Sequence, residues 1–275
     1  MTAFKLGIVE WALPIMGPAS IQYAAELGLH GVELEFGDFE KGFPLSNKRI
    51  QQSYLEFGEK YGVEFPSLAL NAFALNGLSN PAASGKGLAA VEAIKRGLET
   101  AAAMRIGVVQ LPSFDDGRIE SEQDFKNTVE KLRLACALAE PYGITVASEN
   151  ILSAMETQRI VDEVNHANFK IMYDTQNYYL NKGYDQAELL RKIHPHVVQV
   201  HIKDGYNKTI SSALIGDGEN GFGETARVIV ETGCTEWLLL ENYYHIRPLS
   251  DLHPDPFELL RKDIEKARAF FTIAA

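Results

Sequence analysis

The sequence predicts an α/β protein, a (β/α)8 TIM barrel formed by one domain over residues 1–275, and three observations carry that expectation. The chain has 275 residues, a normal length for such a barrel and long for most other single domains. Eight short apolar runs follow one another along it, with helical stretches between them. The first run is followed not by a Gly-rich phosphate loop but by EWALPIMGPAS (10–20), which speaks against an open doubly wound sheet.

FKLGIVEW (4–11) is the first candidate strand and ELGLHGVELEF (26–36) carries the second. A helix is expected over Asn47–Tyr61, and KYGVEFPSLAL (60–70) carries the third strand. Gly85–Met104 is rich in Ala, Leu, Glu and Lys, as a surface helix should be. MRIGVVQLPSF (104–114), a helix over Glu120–Ala139 and PYGITVASEN (141–150) follow. The last three strands lie in ANFKIMYDTQN (167–177), PHVVQVHIKD (195–204) and TGCTEWLLLEN (232–242), and a helix over Asp255–Phe271 ends the pattern. Gly often stands where a helix stops, the usual left-handed cap. The runs show little alternation, as strands buried on both faces do. The Gly- and Asp-rich piece IGDGENGFG (215–223) reads as one loop.

Composition narrows the class. Apolar residues make up 46% and charged residues 23% of the chain, the balance of a soluble globular protein. A net charge of −11 argues against nucleic acid as a partner, since phosphate backbones are met by clustered Lys and Arg. It leaves room for a small anionic substrate, because a site can differ in sign from the whole surface. Cys136 and Cys234 form no CxxC pair, which suits two thiols in a reducing compartment. The first residues, MTAFKLGIVEWALP, do not have the pattern of a signal peptide. No stretch approaches the roughly 20 apolar residues that span a bilayer. The expectation is therefore a cytoplasmic protein with no membrane partner.

In this fold the active site sits where the strands end. Strand one ends at Glu10 and Trp11, strand two carries Glu33 and Glu35, strand three runs into Asn71, and strand four ends near Gln110. Strands five to eight end in Glu149, Asp174, His201 and Glu241. A single carboxylate after a strand is usually a turn or helix cap, and a lone strand histidine can be a satisfied core residue. Four potential ligands on four consecutive strands are harder to obtain that way. In a closed barrel these ends converge, and three carboxylates in a partly dry pocket repel one another. One divalent cation resolves the conflict. Three carboxylates and an imidazole suit Mn²⁺ or Mg²⁺ and admit Co²⁺ or Zn²⁺.

These residues resemble the sugar phosphate isomerase/epimerase superfamily, the xylose isomerase-like barrels, over essentially the whole chain. The family's ligands fall on Glu149 in VASEN, Asp174 in MYDTQN, His201 in VHIKD and Glu241 in LLLEN. GIVEWALP (7–14), PSLALNA (66–72) and VVQLPSFDD (108–116) are similar to the L-xylulose- and L-ribulose-5-phosphate 3-epimerases, as is the spacing of Asp174 and Asn177. Free-ketohexose 3-epimerases tend to have His where Asn177 stands. The resemblance implies a metal-dependent epimerase acting at C3 of a ketose or ketose phosphate through an enediolate. Glu149 and Glu241 would be the acid/base pair as well as ligands, and Asp174 and His201 would only hold the ion. Aldose–ketose isomerases, hydroxypyruvate isomerases and inosose dehydratases share the four ligands. A non-catalytic sugar-binding barrel is the reading from another class. The related abasic-site endonucleases use several histidines at the site, whereas here only His201 among seven ends a strand.

The substrate contacts expected are Glu10, Trp11, Asn71, Gln110, Asn177 and Lys203. Trp11 would wall the pocket, the amides would orient hydroxyls, and Lys203, with Lys208 after it, would meet an anionic group. Glu219 and Asn220 lie in a loop whose glycines suit close backbone approach. The aromatic run TQNYYLNKGY (175–184) suits a mobile cover or an oligomer contact, which leaves a homo-oligomer open.

Overall fold

Each apolar run becomes a strand buried along most of its length. The strands are β1 (Lys5–Val9), β2 (Gly31–Glu35), β3 (Leu68–Ala69), β4 (Val108–Pro112), β5 (Thr145–Glu149), β6 (Phe169–Asp174), β7 (Val197–Ile202) and β8 (Trp237–Leu240). The computed structural model describes residues 3–274. Among these, the strands form a closed barrel in the order β1 to β8, with parallel pairs such as Ile8↔Val32 and Ile8↔Leu240. The expected barrel is therefore present. Helices α1 (Ala19–Glu26), α2 (Lys48–Tyr61), α3 (Gly85–Met104), α4 (Glu122–Ala139), α5 (Ala154–Val164), α6 (Asn177–Lys182), α7 (Gln186–Ile193), α8 (Phe222–Thr232) and α9 (Pro256–Phe270) lie between and after the strands.

Local chemistry sets the helix ends. Ser84 accepts from the Gly87 N–H ahead of α3. Ser121 with Asp124, and Ser153 with Glu156, make reciprocal capping boxes for α4 and α5. Asp255 caps α9, whose first residue is Pro256. These signals explain why α3, α4 and α9 fall within two residues of their expected bounds, as α2 also does. Three details differ. β3 shrinks to two residues, because Pro66 has no N–H to give and a 3-10 turn takes over at Asn71. Gln110 is the middle of β4 rather than its end. The stretch 215–223 is not all loop, since Phe222 and Gly223 already belong to α8.

Contacts gather the chain into two compact units. One takes the described residues up to Glu33, then Phe57–Glu64 and Tyr173 onward; the other takes Leu34–Glu56 and Phe65–Met172. In the first, Leu6, Ile8, Val32, Val200, Ile202, Leu238 and Leu240 are fully buried. A Cβ on Gly31 would meet the Trp237 ring at 2.7 Å, so only glycine lets β2 approach there. In the second, Leu68, Val109, Leu111, Val146 and Ile171 are fully buried. No helix among the described residues is long and apolar enough to cross a membrane.

Candidate metal centre

β5 to β8 carry the four expected ligands at or beside their C-terminal ends. Glu149 and Asp174 are the last residues of β5 and β6. His201 is one residue short of the end of β7, and Glu241 stands directly after β8. All four are buried, and each offers one ligand atom within 4.8 Å of the others. These residues can hold a metal ion.

Their partners fix them in different ways. One oxygen of Asp174, Oδ1, accepts from the backbone N–H groups of Gln176 and Asn177 at 2.7 and 2.6 Å, the start of α6. That leaves Oδ2 for the centre. His201 Nε2 lies 2.7 Å from Glu33 Oε2, with both side chains fully buried. β8 and β1 stand between β7 and β2, so this bond crosses the barrel interior. With the Nε2 proton donated to Glu33, the lone pair of Nδ1 faces the centre. Nδ1 lies 3.0 Å from Glu241 Oε2. A lone pair and a carboxylate oxygen that close need a proton or a cation between them, so the donor set suits a hard-to-borderline dication.

Glu241 has donors on both oxygens. Trp11 Nε1 donates to Oε1 at 3.2 Å, and Lys203 Nζ reaches Oε2 at 2.8 Å. Burial alone would raise its pKa, but the Lys203 ammonium beside it more than offsets that and holds the carboxyl far below the usual range. Trp11 also meets the His201 ring edge-on, with centroids 6.3 Å apart. Glu149 Oε2 accepts from Gln110 Nε2, itself buried.

The other expected contacts take varied places. Glu10 is buried and accepts from the Gly17 N–H at 2.9 Å, which braces the turn after β1. Asn71 is half-buried and donates to Glu35 Oε2 at 2.5 Å. Asn177 is buried as the first residue of α6, its N–H on Asp174. Lys203, expected to meet an anionic substrate group, has its ammonium at Glu241 Oε2 and at Asp174 Oδ2, 2.8 and 3.0 Å away. Lys208 is exposed. Glu219 is exposed, while Asn220 is buried and donates to the Thr175 carbonyl at 2.7 Å.

Glu33 and Asp204 were not among the expected site residues. Glu33 had a signal in the sequence, a carboxylate in the interior of an apolar run. Asp204 accepts from the N–H groups of Gly205, Gly216 and Gly218 at 2.8, 2.9 and 3.0 Å and so folds the loop after β7. Burial pushes its carboxyl up to about 6. Two of these partners, Gly216 and Gly218, lie 12 and 14 residues on, and only the glycines of that stretch hinted at this role.

Residues 21–269 match the family described as Xylose isomerase-like TIM barrel. A 2-epi-5-epi-valiolone 7-phosphate 2-epimerase from Actinoplanes sp. SE50/110 is 32% identical over 267 residues, which cover 96% of this chain and 93% of that one. Among solved structures, a D-psicose 3-epimerase from Clostridium cellulolyticum H10 with D-tagatose superposes with a TM-score of 0.78 at 17% identity, over 98% of this chain and 100% of its own. A 3-keto-D-glucoside 4-epimerase from E. coli gives 0.75 at 16%, over 97% and 99%. At those identities the two structures speak for the fold.

Proposed function

The chain belongs to the xylose isomerase-like TIM barrel family, and from that premise we propose that it is a divalent-metal-dependent epimerase of a small ketose or ketose phosphate, acting at C3, with residues 1–275 working as one domain. The observation that carries this reading is the buried set Glu149, Asp174, His201 and Glu241 with mutually close ligand atoms. Mn²⁺ or Mg²⁺ suits a site of three carboxylates and one imidazole best; Co²⁺ or Zn²⁺ would also be accepted. The bound ion would act as a Lewis acid toward adjacent oxygens of the sugar and favour the enediolate.

The protein residues do the rest. Glu241 is held ionised by the positive charge beside it and oriented by the Trp11 N–H, as a base must be before it takes a proton. Glu149, oriented by Gln110, is the second acid/base group and serves the other face of the same carbon. Asp174 and His201 hold position through α6 and Glu33 and take no proton. Trp11, Asn71, Gln110 and Asn177 would face or support the substrate, with Glu10 bracing the turn that presents Trp11. The substrate would be a free or phosphorylated sugar and no nucleic acid, and the working compartment a reducing cytoplasm, in keeping with the free thiols Cys136 and Cys234.

A second reading has a specific observation in its favour. The relative at 32% identity is named as a 2-epimerase of a valiolone 7-phosphate, so a cyclic phosphorylated substrate with inversion at its carbon 2 is the rival. Both readings ask the chain to take a proton from one face of a carbon and return one to the other. A deuterium-exchange screen in D₂O with Mn²⁺, using free and phosphorylated pentuloses and hexuloses beside 2-epi-5-epi-valiolone 7-phosphate, separates them. Label entering C3 of a ketose is the expected result. Label entering only the cyclic phosphate favours the rival, and no exchange with any substrate removes both.

A further inference from the structure

Lys203 is an unusual neighbour for a dication. Its side chain is 2% exposed, and its Nζ lies 2.8 Å from Glu241 Oε2 and 3.0 Å from Asp174 Oδ2. Its backbone is clamped as well, because its N–H donates to Thr175 Oγ1 at 3.0 Å and its carbonyl accepts from the same hydroxyl at 2.8 Å. The lysine therefore cannot leave by a shift of the strand end, although its flexible stem can turn.

The two oxygens it holds are the ones a metal would need. Asp174 Oδ1 is engaged by two backbone N–H groups, and Glu241 Oε1 by the Trp11 indole. The remaining oxygens, Asp174 Oδ2 and Glu241 Oε2, both carry the Lys203 ammonium. A dication bound to those oxygens would stand a few ångströms from a unit positive charge in a buried site, where repulsion is strong.

We propose that Lys203 is the built-in counter-cation of this site, and that a divalent ion binds by displacing its ammonium from Asp174 and Glu241. The proposal rests on the metal-site reading above and adds how that site is regulated. With no ion, Lys203 offsets part of the carboxylate charge and keeps the barrel mouth from repelling itself apart. With an ion bound, the ammonium swings away and its three N–H donors become available to an oxygen of the substrate. Metal loading and substrate recognition are then linked through one side chain.

The test measures Mn²⁺ binding by calorimetry in metal-stripped wild type and in Lys203→Met, which keeps the apolar stem and removes the charge. The dissociation constant of the variant should fall by about tenfold or more, and the stripped variant should melt below stripped wild type while the loaded forms melt close together. Equal or weaker Mn²⁺ binding by the variant overturns the proposal while leaving the metal site standing. Absence of Mn²⁺ binding in both proteins overturns the metal reading and this inference with it. Should Lys203→Met not fold even with Mn²⁺, wild type answers through the ¹H–¹⁵N signals of its buried lysine ammonium groups. Lys131 is the other fully buried lysine among the described residues, and Lys131→Met identifies the Lys203 signal by exclusion. Saturation with Mg²⁺ should abolish the protection of that signal from water exchange. A signal that stays protected shows an ammonium that has not moved and overturns the proposal.

Discussion

Glu33 on β2 and His201 on β7 meet across the barrel interior, with Oε2 and Nε2 2.7 Å apart and neither side chain exposed to solvent. This bond decides which imidazole nitrogen carries the proton, and so which one is left to face Glu149, Asp174 and Glu241. Glu33→Gln removes the charge that selects this tautomer while preserving the volume of the side chain. Affinity for Mn²⁺ should fall by about tenfold to a hundredfold with an unchanged circular dichroism spectrum. Unaltered metal affinity would show that His201 does not depend on Glu33 for its orientation.

The two glutamates should separate ligation from proton transfer. Glu149→Gln and Glu241→Gln should each stop solvent deuterium entering the substrate, by at least about a thousandfold, and leave the fold intact. Glu241→Gln should cost more stability than Glu149→Gln in the metal-free protein, because it takes from Lys203 the nearer of the two carboxylates, Glu241 and Asp174, that its ammonium meets. Exchange at the wild-type rate in either variant refutes the two-base mechanism.

Much of this was legible in the sequence, for a physical reason. Strands buried on both faces leave continuous apolar runs, and capping residues such as Ser121 and Ser153 mark helix starts wherever they fall. Candidate ligands at strand ends are likewise visible, because a Glu, Asp or His breaks an apolar run. Pairings across the barrel are different. Glu33 lies 168 residues from His201, and nothing local says that the two side chains meet. Lys203 shows the same limit. A lysine after a strand reads as a cation for an anionic substrate, and only the fold reveals that Asp174 and Glu241 are the anions it faces. Short helices such as α6 and α7 carry too few residues for their periodicity to stand out.

Asp263 should make stability depend on pH. It is fully buried in α9, accepting from the Ile215 N–H at 2.8 Å, from Asn242 Nδ2 at 2.6 Å and from the Tyr244 hydroxyl at 3.0 Å. Burial pushes its carboxyl up to about 7, against an ordinary carboxylate value in the unfolded chain. Between roughly pH 4 and 7 the folded state therefore holds more protons than the unfolded state, so the contribution of Asp263 falls as pH rises through that window. Asp263→Asn removes the titration. The melting temperature of wild type minus that of the variant should shrink from pH 4.5 to pH 7.5; a difference that is constant with pH, or that grows, contradicts the assignment.

Metal removal should be felt as lost stability before it is felt as lost activity. Glu149, Asp174 and Glu241 place three carboxylates around one centre, and within the chain Lys203 supplies one unit of compensating charge. A dication that takes the place of the lysine ammonium brings two positive charges to the same oxygens and so offsets more of the repulsion. An ion that binds the folded chain and not the unfolded one stabilises it by about 2.7 kcal/mol at a hundred times its dissociation constant. Chelation with EDTA followed by titration of Mn²⁺ should therefore raise the melting temperature by several degrees in wild type. Asp174→Asn should give little or no rise, since it weakens the ligand oxygen and loosens the start of α6 at once. A wild type whose melting temperature ignores both chelator and Mn²⁺ would argue that these four residues are held together by Lys203 and Glu33 alone.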